Sequence, residues 1–177
     1  VQPICKLVTN LVDVAELYLR DPKNLDFRPR ANSAIIDAGT IFTKTDFSEL
    51  NLSPYLGKAP DMGPYEFGDE NYWIPGYQYP NASTPIPPDR ATDVKLDADL
   101  LWLNGYKSNI HAIYFGDDRE AVRNADPKSK LYFGKQDNNI FTPPELEPEK
   151  TYFWRVDAYN AERIESGQIW QFTVKNQ

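Results

Sequence analysis

The segment Lys150–Val174, KTYFWRVDAYNAERIESGQIWQFTV, decides how most of this chain folds. Apolar residues occupy every second position in two runs, Tyr152, Trp154, Val156 and Ala158 in the first and Trp170, Phe172 and Val174 in the second. Because side chains alternate between the two faces of a strand, this spacing predicts strands rather than a helix. The segment is therefore predicted to form a half-buried antiparallel pair of strands joined by a turn.

The composition is that of a folded β-rich protein. The 177 residues are 41% hydrophobic and 14% aromatic, and 15 of them are proline, which together predict a packed core with β-structure and irregular loops. The formal net charge of -7 argues against nucleic acid as a partner, because phosphate neutralisation needs clustered Lys and Arg. No apolar run reaches the roughly 18–20 residues of a membrane span.

Two features of the sequence limit the kind of protein this is. Cys5 is the only cysteine, which excludes an internal disulfide and a cysteine-based metal site. Val1 begins without an initiator methionine or the basic and apolar regions of a signal peptide. The sequence is therefore expected to be a fragment, or a processed C-terminal piece, of a longer protein.

Two segments in the first 70 residues share a pattern with a known family. They are 25–39, LDFRPRANSAIIDAG, and 59–66, APDMGPYE. Together they resemble the closing coils of right-handed parallel β-helix proteins, the pectate-lyase-like folds of many exported polysaccharide lyases and glycoside hydrolases. The matching residues are Asp26, Phe27, Arg28, Ser33, Ala34, Ile36, Asp37, Ala38, Gly39, Asp61, Gly63, Tyr65 and Glu66.

This resemblance has consequences for folding and for catalysis. It implies that residues 1–70 end a β-helix, whose upstream coils in the parent protein would be a partner of this piece, since stacked coils bury each other. Catalytic residues of such enzymes usually lie along the central coils. No catalytic residue is therefore expected in this chain.

Residues 71–90 have the composition of a semi-rigid linker, being rich in proline. Four aromatic residues lie in it: Tyr72, Trp73, Tyr77 and Tyr79. Two interpretations are open. They pack the linker against its neighbours, which is the commoner role, or they form a platform on which sugar rings stack.

Residues 91–177 read as short strands separated by turns, the pattern of a β-sandwich. The predicted strands are 91–96, 99–103, 111–115, 130–133 and 140–142, followed by the pair described first, with a helical turn at 119–125. The series from Leu146 and Pro148 to Tyr152, Trp154, Val156, Ala158 and Asn160 resembles the L-x-P-x-T-x-Y-x-V-x-V-x-A-x-N signature of fibronectin type III domains. In that family the Tyr hydrogen-bonds the preceding loop as a tyrosine corner.

The fold class predicted is thus mainly β. It combines the last coil or coils of a parallel β-helix, a linker at 71–90, and an antiparallel fibronectin-III/immunoglobulin-like sandwich at 91–177. The second half resembles the fibronectin-III-like modules appended to bacterial exported carbohydrate-active enzymes, which implies a secreted, periplasmic or cell-surface location.

Other candidate sites are weaker. His111 is the only histidine and is predicted to face the core, and Trp102, Trp154 and Trp170 likewise. The carboxylate pairs Asp97/Asp99, Asp117/Asp118, Asp61/Glu66 and Asp69/Glu70 are sequence neighbours, which seldom face each other across a cleft as glycosidase chemistry needs. Asp117, Asp118 and Asp126 offer oxygen atoms to calcium without the spacing of a calcium loop, so neither a metal nor a cofactor is predicted.

The leading hypothesis is a non-catalytic C-terminal region of an exported polysaccharide-degrading enzyme. It would cap the β-helix and bind or space the enzyme towards a polysaccharide, with Tyr72, Trp73, Tyr77 and Tyr79 as the carbohydrate-binding residues. One alternative is a fragment that contributes Arg28, Arg30 or Lys44 to the cleft of a lyase or glycoside hydrolase. Another is a purely structural or protein-interaction module.

Overall fold

The computed structural model of the chain describes residues 15–41, 55–161 and 163–176. Chain contacts divide it into two compact units, one of Val1–Pro22 and Phe27–Asp69, the other of Lys23–Asp26 and Glu70–Gln177. Among the described residues no helix has the length and apolar character to cross a membrane.

The first unit has little regular structure. Its described residues hold a 3₁₀ turn at Ala15–Leu17 and a two-stranded sheet of β1 (Leu19–Asp21) and β2 (Asp26–Pro29), whose first residue is counted with the second unit. The connection between the strands contains a 3₁₀ turn at Pro22–Asn24 and is far shorter than the dozen or so residues of a parallel crossover. The described part of this unit therefore contains no parallel strand pair.

The second unit is a β-sandwich whose described residues form nine strands and one helix. The smaller sheet has the order β3-β5-β8, and the larger one β4-β11-β9-β6-β7, with β10 paired to β9. Their bounds are β3 Ser83–Ile86, β4 Ala91–Val94, β5 Leu100–Leu103, β6 Ile110–Gly116, α1 Arg119–Asn124, β7 Tyr132–Gln136, β8 Ile140–Phe141, β9 Thr151–Tyr159, β10 Ile164–Glu165 and β11 Trp170–Val174.

The strand pairing confirms the predicted antiparallel architecture. β9 lies between β6 and β11 and is antiparallel to both, with Val156 opposite Ile113 and Trp154 opposite Trp170. Only β4 and β11 pair in parallel among the strands described in this unit. The protein is thus mainly β.

The core lies between the two sheets and is strongly aromatic. Trp102, Trp154 and Trp170 are all buried in it, as the alternation predicted. Trp154 contacts both of the others, with ring centroids 6.4 Å from Trp102 and 4.6 Å from Trp170. Edge and tilted arrangements of this kind add to the energy of burying large apolar rings.

The tyrosine corner is present where the sequence placed it. The buried Tyr152 hydroxyl accepts a hydrogen bond from the backbone N–H of Glu147 at 3.0 Å. This bond fixes the loop that precedes β9, the central strand of the larger sheet. The sandwich therefore carries this local feature of the fibronectin type III pattern.

The outer face of the larger sheet is covered by α1. Ala112, Tyr114 and Val122 form a second apolar cluster there. Asp118 caps the helix by accepting the N–H of Ala121 at 2.7 Å. A short amphipathic helix with a side-chain cap suffices because its stability comes from the sheet it packs on.

Candidate functional site

The four aromatic residues predicted to bind sugar differ in exposure. Tyr72 is 4% exposed, whereas Trp73, Tyr77 and Tyr79 are 69%, 76% and 55% exposed. Asn139 holds Tyr72 in place, because its side chain accepts the Tyr72 N–H at 2.8 Å and donates to the Tyr72 carbonyl at 2.7 Å. Tyr72 therefore anchors the aromatic segment, defined as Tyr72–Tyr79, and its ring is not accessible to a sugar.

Tyr77 and Tyr79 form a pair on the surface. Their ring centroids are 5.2 Å apart, and their planes meet at 72°. The two rings are thus edge-to-face rather than coplanar, and they present an angled apolar surface instead of one flat platform. Three large exposed aromatic side chains within one short segment is an unusual concentration on a protein surface.

The aromatic segment is tied to the turn between β5 and β6. The backbone N–H of Tyr106 donates to the Tyr79 carbonyl at 2.7 Å. Gly105 permits this approach, since a Cβ there would lie 2.5 Å from the Pro80 carbonyl oxygen. The Asn104-Gly105 turn was predicted, but the aromatic side chain that follows it was not recognised as part of a site.

A groove lies beside this turn. Its volume is about 290 Å³, and its lining includes Pro80, Tyr106 and Lys107 on one side and Asn160 and Arg163 from the turn between β9 and β10. Tyr106 is 54% exposed, and Lys107 Nζ lies 5.3 Å from the centroid of its ring. We call this feature the Tyr106 groove.

The acidic residues of the two segments that resemble β-helix coils have structural partners. Asp37 accepts the N–H groups of Ala59 and Lys58, at 3.1 and 2.6 Å, which lowers the pKa of its carboxyl. Asp61 accepts those of Asp37 and Phe67, at 2.7 and 2.5 Å. These carboxylates replace the hydrogen bonds that a regular ladder would supply.

Asp61 and Glu66, one of the carboxylate pairs, are joined by this network rather than set across a cleft. Glu66 accepts the N–H of Asp61 at 3.1 Å and that of Leu56 at 3.2 Å. Both groups therefore hold backbone in place.

Three of the remaining acidic candidates also serve local structure. Asp99 accepts the Thr142 hydroxyl at 2.7 Å, Asp117 pairs with Lys150 at 3.0 Å, and Asp126 accepts the Lys128 N–H at 2.8 Å. Within the described ranges no group of three or more His, Cys, Asp or Glu side chains is placed to hold a metal ion.

His111 is fully buried beside Trp102, with ring centroids 5.6 Å apart. Neither ring nitrogen has a hydrogen-bond partner. Burial lowers the pKa of His111 to about 4, so its ring is neutral near pH 7. This placement confirms the predicted core-facing position.

Two of the three basic residues of the alternative enzyme hypothesis lie in the described part of the chain. Arg28 is half-buried, and Arg30 is exposed and donates to the Glu16 carbonyl at 3.2 Å. Lys44 lies outside the described residues.

A second cleft, of about 490 Å³, is lined by Asp89, Arg119, Arg123 and Arg155 among others. Arg155 is buried and donates to Asp157 at 2.9 Å and to the Val122 and Ala125 carbonyls, also at 2.9 Å. Its guanidinium therefore closes the end of α1, as C-terminal cations do. Arg119 donates to the Gln171 side chain at 3.1 Å.

Comparisons with known proteins identify no family for this chain. No known family model matches it, and no curated protein matches it. Solved structures that resemble it include two α-L-rhamnosidases. The one from Streptomyces avermitilis, complexed with L-rhamnose, is 20% identical over 53% of this chain with a TM-score of 0.40. The one from Dictyoglumus thermophilum is 16% identical over 54% with a TM-score of 0.44.

A fibronectin type III domain, that of human fibronectin type III domain containing protein 3, is 13% identical over 59% of this chain and 93% of its own length, with a TM-score of 0.38. The chain spans only 10% and 12% of the two rhamnosidases. The architecture described above rests on the strand order and core of this chain itself.

Proposed function

We propose that this chain is a non-catalytic accessory region of an exported, polysaccharide-degrading enzyme and that its second unit holds a glycan. The observation that carries the proposal is the exposure of Trp73, Tyr77 and Tyr79 on one short segment. A pyranose ring has an apolar C–H face and polar edges, so it packs on an aromatic ring while its hydroxyls remain hydrated. Aromatic rings give such contacts at little entropic cost, because they have few rotatable bonds.

The way the segment is held supports binding rather than spacing alone. Asn139 bonds both backbone polar groups of Tyr72, and Tyr106 bonds the Tyr79 carbonyl. Pro75 and Pro80 restrict the chain between and beyond these points. The rings are therefore presented by an ordered backbone, which lowers the cost of binding.

The domain plan of the sequence is part of the same proposal. Residues 1–70 close an upstream parallel β-helix, and residues 91–177 form most of a fibronectin type III-like sandwich. Residues 71–90 connect the two and add β3 to the smaller sheet of the sandwich. The resemblance of the two N-terminal segments to β-helix coils supports the first assignment, as does the hydrogen bonding between them, such as Gly39 N–H to the Pro60 carbonyl at 2.7 Å. A secreted, periplasmic or bacterial cell-surface location follows from this plan.

The test is affinity electrophoresis of the 177-residue chain through gels that contain a panel of plant and marine polysaccharides. We expect at least one glycan to retard the wild type and Trp73→Ala to reduce that retardation. Phe67→Ala, which removes an exposed aromatic ring outside the aromatic segment, is the matched control and should migrate as the wild type does. Unchanged migration of the wild type through every gel would leave a structural module and contradict the binding role.

A further inference from the structure

We infer that the Tyr106 groove is a subsite for an acidic sugar unit, carboxylated or sulfated, of the glycan that the aromatic segment holds. This inference rests on the proposed function and adds the location and charge of a subsite to it. The groove was not among the sites predicted from the sequence.

Its position makes it continuous with the exposed aromatic residues. Pro80, in its wall, directly follows Tyr79, whose ring contacts that of Tyr77. The hydrogen bond from Tyr106 N–H to the Tyr79 carbonyl joins the groove and the segment through backbone. The Tyr77 and Tyr79 rings and the groove are therefore neighbouring features of one surface, on which a single glycan chain would contact both.

Its opposite wall is also ordered by backbone hydrogen bonds. Asn160 N–H donates to the Arg163 carbonyl at 3.2 Å, and Arg163 N–H donates to the Asn160 side chain at 2.9 Å. These two bonds close the turn between β9 and β10. A main-chain N–H group thus donates each of the hydrogen bonds that hold the two walls, which suits a preformed binding site.

The charged residues that line the groove indicate which kind of ligand it would bind. Among the described residues that line it are two cations, Lys107 and Arg163, and no acidic side chain. Arg163 is paired with Glu165, which leaves Lys107 as the main positive charge. Among the described residues Lys107 forms no ion pair, and its ammonium group lies over the exposed Tyr106 ring. An apolar ring next to a cation fits a sugar with an anionic substituent.

The backbone conformation at Lys107 indicates that the turn does not require a lysine at this position. Its φ is +57°, a left-handed conformation that glycine or asparagine adopts at lower cost. Lys107→Asn is therefore expected to fold at least as well as the wild type while removing the charge. This property makes it a clean test variant.

The experiment uses gels containing polygalacturonate or its neutral methyl ester, and gels containing κ-carrageenan or the same polymer after removal of its sulfate groups. The first pair of gels tests whether a carboxylate strengthens binding, and the second pair tests whether a sulfate does. The net charge of -7 opposes general electrostatic attraction to these polyanions as a cause of retardation. Dissociation constants follow from mobility measured against glycan concentration.

We expect the wild type to bind one acidic glycan about tenfold more tightly than its neutral counterpart. Lys107→Asn should remove that preference, Tyr106→Ala should weaken binding about tenfold, and Tyr106→Phe should retain it, since the ring stays. Lys128→Asn, an exposed lysine outside the groove, is the charge-matched control and should bind as the wild type does.

The outcomes separate this inference from the proposed function. If the wild type binds a glycan but Lys107→Asn and Tyr106→Ala bind it equally well, the groove is not the subsite, whereas the binding role stands. Equal or tighter binding of the neutral glycans overturns the assigned charge. If no gel retards the wild type, both the proposed function and this inference fail.

Discussion

The sandwich core and the aromatic segment contain the same kinds of side chain in opposite environments. Trp102, Trp154 and Trp170 are enclosed between two sheets, whereas Trp73 projects from the surface with more than two thirds of its area exposed. The buried rings stabilise the fold by leaving water. Trp73 lacks that stabilisation, so its exposure, rather than its residue type, makes it a candidate for binding.

The sharpest test of this contrast replaces one Trp in each region. Trp154→Ala should lower the free energy of unfolding by roughly 3–5 kcal/mol, because it opens a cavity between Trp102 and Trp170. Trp73→Ala should change it by less than about 0.5 kcal/mol, as at exposed sites generally. Urea unfolding followed by circular dichroism measures both. Similar losses in the two variants would remove the distinction between the regions.

The core contains a titratable side chain, that of His111, so the stability of the fold depends on pH. The folded-state pKa of His111, about 4, is below its ordinary value of 6.5, so the unfolded chain binds more protons between these pH values. The stability that depends on neutral His111 is complete above pH 6.5 and falls as the pH drops towards 4, by about 3 kcal/mol in total.

His111→Leu isolates this effect from the titration of carboxylates. The variant should lose less stability than the wild type between pH 6.5 and 4, and it should be no less stable at pH 7, since two buried nitrogens without partners are removed. Equal pH dependence of unfolding in the two proteins would show that His111 is protonated in the folded state at an ordinary pKa.

A smaller effect distinguishes a buried from an exposed tyrosine hydroxyl. Tyr152→Phe removes the hydrogen bond from Glu147 N–H and should cost about 1 kcal/mol of unfolding free energy. Tyr106→Phe, at a residue 54% exposed, should cost nothing measurable. Thermal unfolding of both variants compares them, and equal melting temperatures would argue against a stabilising tyrosine corner.

The predictability of the fold follows the strength of local patterning. The central strand β9 spans nine residues, and its alternation predicts the strand, its buried face and its neighbour β11. β3 (Ser83–Ile86) was missed because Pro85 lies in it. Proline is compatible with a strand at the edge of a sheet, where β3 lies, but the sequence does not identify edges.

The candidate site is less predictable from the sequence than the fold. The local composition indicates Trp73, Tyr77 and Tyr79 as candidates. Tyr72 shares that composition, but it is buried, and its backbone N–H is hydrogen-bonded to Asn139, 67 positions away in the chain. The Tyr106 groove joins turns that follow β5 and β9. Such long-range contacts leave no periodic pattern in the sequence. Neither the burial of Tyr72 nor the Tyr106 groove is therefore predictable from the sequence.

Tryptophan fluorescence distinguishes free from glycan-bound Trp73, because Trp73 is the exposed one of the four Trp residues. The chain is titrated with each soluble polysaccharide of the panel, with Trp73→Phe measured beside it, and quenching by acrylamide is recorded. We predict that one glycan shifts the wild-type emission to shorter wavelength and protects it from the quencher, and that Trp73→Phe shows neither change. Full accessibility of Trp73 to acrylamide at saturating concentrations of every glycan would contradict the claim that the aromatic segment holds a polysaccharide.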